Sequence, residues 1–260
     1  MVKKFGLLFL IALSLSSCVS SEKIHYFQGA PLGDNPAGSA TNFQTKLRSD
    51  DLLMIVVSAP DPMAAAPFNL SPVGISAINL STIDNATGQQ RFQSYLIDSE
   101  GNIEFPVLGT VTLGGLTRAE AMEKLVAGIK KYIDKPIVNL RIMNYKVTVE
   151  GEVLRPGTYN IISERITIPE ALGMASDMTI YGDRKEVMVI RDINGVKTFN
   201  TVDMTSASVV NSPYYYLSQN DVVYVKPNNT RVNSSAVGPN TSLIISAVSL
   251  LITTIALLTR

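Results

Sequence analysis

Short runs of alternating apolar and polar residues, rich in β-branched side chains, occur between residues 46 and 228 and predict strands. The predicted strands are Leu52 to Val57, Ile137 to Ile142, Lys146 to Glu150, Val187 to Arg191, Val196 to Thr201 and Val222 to Val225. The fourth and fifth of these flank Asn194-Gly195, which supplies the positive φ of a tight hairpin. The turn residues Asp98 to Asn102 predict a second hairpin, which joins Tyr95-Leu96-Ile97 to Ile103-Glu104-Phe105.

Two Thr-x-x-Glu sequences predict the N-termini of helices. In Thr117-Arg118-Ala119-Glu120 the Thr hydroxyl can accept a hydrogen bond from the Glu N–H while the Glu carboxylate reaches back to the Thr N–H. Apolar residues then recur at helical spacing until Pro136, which predicts a helix over about 117 to 132. Thr167-Ile168-Pro169-Glu170 repeats the pattern and predicts a shorter helix to about Ala175. Two units of strands plus one helix each predict an α+β protein.

The N-terminus has the layout of a bacterial export signal. Lys3 and Lys4 precede an apolar stretch from Phe5 to Leu15, which is too short for a permanent membrane helix. The following Leu15-Ser16-Ser17-Cys18 resembles a lipobox, so we expect residues 1–17 to be a lipoprotein signal peptide and Cys18 to carry the acyl chains. The alternative is an ordinary signal peptide with an incidental cysteine. Residues 18–45 are rich in Ser, Gly, Pro, Asn and Ala and predict a tether.

The C-terminus predicts a membrane-spanning helix after a linker at 229–240. No charged residue occurs from Val232 to Thr259, and residues 241–260 would form a helix about 30 Å long. Ser242, Ser246, Ser249 and Thr253 are spaced four, three and four residues apart, which places them in one stripe. In one interpretation the stripe packs helix on helix in a single-pass anchor. In the other, a ring of such helices turns its stripes toward a water-filled pore.

The charge and the rare residue types argue against an enzyme. The 22 basic and 22 acidic side chains leave no net charge to attract nucleic acid. A single Cys and a single His provide neither a zinc ligand set nor an intrachain disulfide, and they nearly exclude a His-dependent nucleophile. Asp50-Asp51 and Asp98 with Glu100 are better explained by turns than by paired acid–base catalysis. We therefore expect no catalytic residue, no metal and no cofactor.

An ordered series of motifs resembles the polysaccharide export domain of Wza-type outer-membrane lipoproteins. The series runs from Leu47 through Tyr95-Leu96-Ile97-Asp98 to Pro136-Ile137-Val138, and its motif residues are Asp51, Asp98, Gly101, Pro106, Gly109, Gly115, Thr117 and Glu120. We assign residues 46–144 to this domain. Residues 145–228 resemble a soluble-ligand-binding β-grasp (SLBB) domain, with motif residues Gly151, Pro156, Gly157 and Asp221.

The resemblance implies a function in polymer export. It implies an outer-membrane lipoprotein anchored at Cys18, with its bulk in the periplasm and its C-terminal helix, 241–260, crossing the outer membrane. Copies of the chain, commonly eight, would form a homo-oligomeric ring that exports capsular polysaccharide or exopolysaccharide. The implied partner is an inner-membrane polysaccharide co-polymerase, often linked to a tyrosine kinase. The alternative is a membrane-tethered periplasmic β-grasp module that binds a ligand and forms no pore.

Overall fold

Two hydrophobic cores divide the folded part of the chain. The computed structural model describes residues 22, 24–30, 44–70, 73–74, 90–91, 93–193, 195–236 and 240–258. One core lies between Leu47 and Leu140 and defines a first unit. The other lies between Tyr145 and Val225 and defines a second unit. The strands and helices together confirm the α+β class.

The first unit is built around a three-stranded antiparallel sheet. In chain order it contains β1 (Leu52–Ser58), α1 (Pro62–Ala65), a 3₁₀ turn (Ala66–Phe68), β2 (Val73–Gly74), β3 (Gln90–Arg91), β4 (Tyr95–Leu96), β5 (Asn102–Phe105), β6 (Gly109–Thr112), α2 (Arg118–Ile129) and β7 (Ile137–Ile142). The sheet order is β4-β1-β7. Leu53, Ile55 and Val57 alternate toward the core, as the period of two requires.

Helix α2 confirms the first capping box. The Thr117 hydroxyl accepts from the Glu120 N–H at 3.3 Å, and the Glu120 carboxylate accepts from the Thr117 N–H at 2.7 Å. Ala121, Leu125 and Ile129 recur every four residues and form the buried face. The helix ends at Ile129, somewhat before the predicted end near 132, and the chain continues in turns.

The predicted hairpin across Asp98 to Asn102 is wrong in its strand pairing. The turn itself forms, because Asp98 Oδ1 accepts from the N–H groups of Glu100 and Asn102. However, β4 pairs with β1, whereas β5 pairs with β6. The Gly101 carbonyl accepts from the N–H groups of Leu113 and Gly114 at 2.8 Å, which holds the start of β5 beside the end of β6.

The second unit is a five-stranded mixed sheet with one helix. In chain order it contains β8 (Lys146–Gly151), β9 (Gly157–Asn160), β10 (Ile166–Thr167), α3 (Ile168–Met174), β11 (Gly182–Ile193), β12 (Val196–Val202), a 3₁₀ turn (Ala207–Asn211), β13 (Tyr216–Leu217) and β14 (Val222–Pro227). The sheet order is β12-β11-β14-β8-β9, with β14 and β8 parallel and the other neighbours antiparallel. The β11–β12 hairpin and the second capping box, which begins α3, are confirmed.

The strand register gives this sheet two distinct ends. We call one the junction end, where β8 begins and β11 ends and where the second unit contacts the first. There Arg118 forms an ion pair with Glu164 at 2.8 Å, and Arg48 Nη1 donates to the Asp192 carbonyl at 2.9 Å. We call the other the distal end, where Gly182 of β11 pairs with Pro227 of β14.

Parts of the segments that flank the two units lie within the described residues. Within the predicted tether, the N–H groups of Phe27 and Gln28 donate to the carbonyls of Met204 and Thr205, so this stretch is docked on the second unit. The predicted linker contains helix α4 (Asn229–Ala236), and helix α5 (Asn240–Leu258) follows. Cys18 and the signal peptide lie outside the described residues.

Candidate functional site

Helix α5 carries the predicted stripe. Ser246, Ser249 and Thr253 share one helical face, and Ser242 lies in the same helix, with its side chain outside the described residues. The Thr253 hydroxyl donates to the Ser249 carbonyl at 2.7 Å. Off the stripe, the Thr254 hydroxyl donates to the Leu250 carbonyl at 2.8 Å. Both threonines thus satisfy their hydroxyl donors within the helix.

The rest of α5 presents large apolar side chains. Leu243, Ile244, Leu250, Leu251, Ile252 and Leu258 are each more than half exposed in the single chain. Among the described residues, no helix is both long and apolar enough to be identified as a membrane span.

The export-domain motif residues form turns and caps rather than a cleft. Gly101 has a φ of 85°, and a Cβ on it would approach Gly114 Cα to 3.1 Å, so these two backbones cross at a distance that excludes side chains. Gly115, with a φ of 82°, donates to the Leu47 carbonyl at 2.8 Å. Pro106 and Gly109 bound the β5–β6 turn, where the Leu108 N–H donates to the Pro106 carbonyl. Thr117 and Glu120 cap α2, as described above.

Asp51 is the motif residue with the most unusual environment. It is 1% exposed, and its Oδ2 accepts from the Arg48 N–H at 2.8 Å. Its Oδ1 has no hydrogen-bond partner within the described part of the chain. Burial raises the pKa of this carboxyl to about 6, and the Arg48 hydrogen bond only partly opposes the shift. The sequence had indicated a turn residue, and the turn is present, but the burial had no visible signal.

The β-grasp motif residues lie at both ends of the second sheet. Gly151 has a φ of 89°, and a Cβ on it would overlap the Val225 carbonyl oxygen of the parallel neighbour β14. Pro156 and Gly157 close the turn into β9. These three residues belong to the distal end, whereas Asp221 precedes β14 and lies toward the junction end. The structure therefore does not bring the four motif residues together.

Asp221 forms a buried ion pair that the sequence analysis missed. Its side chain is 0% exposed, and Arg191 Nη2 donates to its Oδ2 at 2.6 Å while Nε donates to both oxygens at 3.1 Å. The Ser218 N–H adds a hydrogen bond at 2.7 Å, and the Arg191 guanidinium lies 5.2 Å from the centre of the Tyr214 ring. Burial raises the pKa of Asp221, and these donors oppose the shift. Period-two alternation in Val187-x-Val189-x-Arg191 was the available signal, because it places Arg191 on the buried face.

The described residues provide no candidate metal centre. No group of three His, Cys, Asp or Glu side chains in them could hold a metal ion. Two shallow surface depressions occur in the first unit, one lined by Tyr95, Asp98 and Glu104 and the other by Pro60, Lys130 and Pro136. Neither contains the motif residues of the second unit.

Comparison with known proteins agrees with the division into two units. Residues 39–143 match the family of polysaccharide biosynthesis/export proteins, and residues 145–225 match the SLBB domain. Two proteins that are similar to this chain carry the same description, "EPS I polysaccharide export outer membrane protein EpsA". That of Ralstonia solanacearum is 28% identical over 150 residues, and that of Ralstonia nicotianae is 30% identical over 152 residues. Each match covers 56% of this chain and 38% of the relative.

The order of an export domain followed by an SLBB domain confirms the predicted resemblance to the Wza-type family of polysaccharide export proteins. This is a family of export proteins and not an enzyme family.

Proposed function

We propose that this protein is an outer-membrane lipoprotein that assembles into a homo-oligomeric ring and exports capsular polysaccharide or exopolysaccharide to the cell surface. The proposal rests on the order of the two domains and helix α5 along the chain. An export domain and a β-grasp domain are followed by a helix in which Ser246, Ser249 and Thr253 lie on one face. The two relatives are described as export proteins of the outer membrane, which supports the same location and cargo.

Helix α5 forms the pore in this proposal. Its large apolar side chains, such as Leu250 and Leu251, are exposed in the single chain, and exposed leucines and isoleucines are stable against lipid. A helix of 19 residues is about 28 Å long, close to the hydrocarbon thickness of a bilayer. In a ring, Ser246, Ser249 and Thr253 of each copy face the lumen, where small polar side chains leave room for a hydrated polymer.

The anchor and the partner complete the proposal. Acyl chains on Cys18 hold the protein to the inner leaflet of the outer membrane, and the two units extend into the periplasm. An inner-membrane polysaccharide co-polymerase, in many systems coupled to a tyrosine kinase, delivers the polymer. The ring catalyses no bond chemistry, and eight is the subunit number that the family resemblance favours.

Substitutions on the two faces of α5 test the export role. The triple variant Ser246→Leu, Ser249→Leu, Thr253→Leu narrows the lumen and should abolish surface polymer, as should deletion of residues 241–260. The matched control Val248→Leu, Ile252→Leu, Ile255→Leu enlarges or reshapes only the apolar face and should export normally. Protein levels and membrane fractionation are measured in parallel. Normal export by the deletion variant would refute the proposal.

The size of the extracted protein tests the ring. After mild detergent extraction, size-exclusion chromatography with light scattering should give a mass several times that of the single chain. A monomer or dimer would contradict the ring and would favour the tethered ligand-binding module instead. Density fractionation of the membranes tests the outer-membrane location in the same preparation.

A further inference from the structure

The distal end of the second sheet is where the chain leaves the β-grasp unit toward α5. Strand β14 ends there at Pro227, and the Asn228 N–H donates to the Tyr181 carbonyl at 2.7 Å. Arg231 of α4 then forms an ion pair with Glu152 at 3.1 Å, and its guanidinium lies 5.5 Å from the centre of the Tyr181 ring. The first turns after β14 are therefore fixed to this end of the unit.

The N-terminal segment is fixed to the same end. The Tyr26 hydroxyl donates to the Asp177 carboxylate, and the Asp177 carbonyl accepts from the Leu154 N–H at 3.0 Å. The Arg184 guanidinium lies 5.4 Å from the centre of the Tyr26 ring. Cys18 precedes Ile24 by six residues, which even when fully extended span only about 20 Å. A lipid attached to Cys18 is thus confined to the neighbourhood of the distal end.

Two loops at the distal end expose large apolar side chains. Val153 and Met178 form an isolated bridge and are buried, and the chain direction then turns Leu154 and Ile180 outward. Each of these two side chains is 66% exposed. Tyr181 follows Ile180 in the chain, and Arg231 lies over the Tyr181 ring. Aromatic and arginine side chains are favoured where protein meets the headgroup region of a bilayer.

We propose that the distal end of the β-grasp unit rests on the inner leaflet of the membrane, with Leu154 and Ile180 inserted among the phospholipid headgroups. The surface that covers the distal end is a lipid bilayer, because the acylated N-terminal segment and the segment that leads to α5 both leave the unit there. The inference rests on the proposed function, which supplies the acyl anchor and the membrane location of α5. It adds a third contact that fixes the height and tilt of each subunit.

Tryptophan fluorescence tests this contact, because the chain contains no tryptophan. Single tryptophans are introduced as Leu154→Trp and Ile180→Trp in the full-length acylated protein. The protein is reconstituted in phosphatidylethanolamine–phosphatidylglycerol vesicles with quenchers placed either near the headgroup or deep in the acyl chain. The matched control is Ile162→Trp, at a side chain that is 97% exposed and follows β9 at the junction end. A further probe, Leu251→Trp, reports on α5.

The expected result is a blue-shifted emission and strong quenching by the shallow quencher for Leu154→Trp and Ile180→Trp, with neither change for Ile162→Trp. Quenching of Leu251→Trp by the deep quencher, with none at positions 154 and 180, would overturn this inference while leaving the proposed function intact. Absence of quenching at Leu251→Trp would contradict the proposed function itself. A blue shift at 154 and 180 without lipid quenching would mean that another copy of the chain covers this end, and would also overturn the inference.

Discussion

Removal of the negative charge from Asp221 should destabilise the second unit strongly. Asp221→Asn keeps the shape of the side chain, but it leaves the Arg191 guanidinium buried without its counter-ion and turns one acceptor into a donor that faces Arg191 Nε. Breaking one partner of a buried ion pair costs about 3–5 kcal/mol. The folding equilibrium of this unit should therefore shift toward the unfolded state by a factor of about 100 or more.

The assay for this prediction is unfolding of the purified protein in detergent. Circular dichroism follows urea unfolding, and hydrogen–deuterium exchange shows whether β11 and β14 lose protection before the first unit does. The control is Glu186→Gln, which removes an exposed ion pair to Lys226 in the same sheet and should leave stability almost unchanged. If Asp221→Asn unfolds at the same urea concentration as the parent and the control, the buried pair does not stabilise this fold.

Three further predictions concern the motif residues. Burial raises the pKa of the Asp51 carboxyl from 3.8 to about 6, so the folded first unit holds this proton more tightly than the unfolded chain does. The free energy of unfolding of the first unit should therefore fall by up to about 3 kcal/mol as the pH rises from 4 to 7. In urea unfolding, Asp51→Asn should flatten this pH dependence. Thr117→Ala removes the α2 cap and should cost about 1 kcal/mol, measured as faster hydrogen exchange in the first turn of the helix. Gly151→Ala should disrupt the pairing of β8 with β14 and lower the melting temperature, whereas Gly173→Ala, in α3 with open space around it, should not.

Local signals in the sequence predicted the local structure well. Both Thr-x-x-Glu sequences cap helices, because every group in a capping box lies within four residues of the others. The turn at Gly195, with a φ of 82°, joins β11 to β12 as predicted, because a tight turn also depends only on neighbouring residues. Strand pairing across long stretches of chain was not predictable in this way. The pairing of β4 with β1, and of β14 with β8, depends on which hydrophobic faces meet in the folded unit.

In the candidate site, too, the sequence predicted features that depend on neighbouring residues and missed long-range contacts. The stripe on α5 follows from helical spacing alone, so the sequence predicts it completely. The burial of Arg191 had a signal in the alternation of its strand. The docking of Tyr26 on Asp177 had none, because the contact joins residues 151 positions apart and the surrounding segment has no hydrophobic period. Contacts of that kind depend on the finished surface of the second unit.

Aqueous accessibility of single cysteines along α5 tests the central claim most directly. Cys18 is the only cysteine in the chain, and acylation would occupy its sulfur, so introduced thiols can be labelled without background. In the intact, membrane-embedded oligomer, Ser246→Cys, Ser249→Cys and Thr253→Cys should react with a charged maleimide, while Leu250→Cys and Leu251→Cys should not. Equal protection of all five positions, or labelling of the leucine positions alone, would contradict a hydrated pore lined by the stripe.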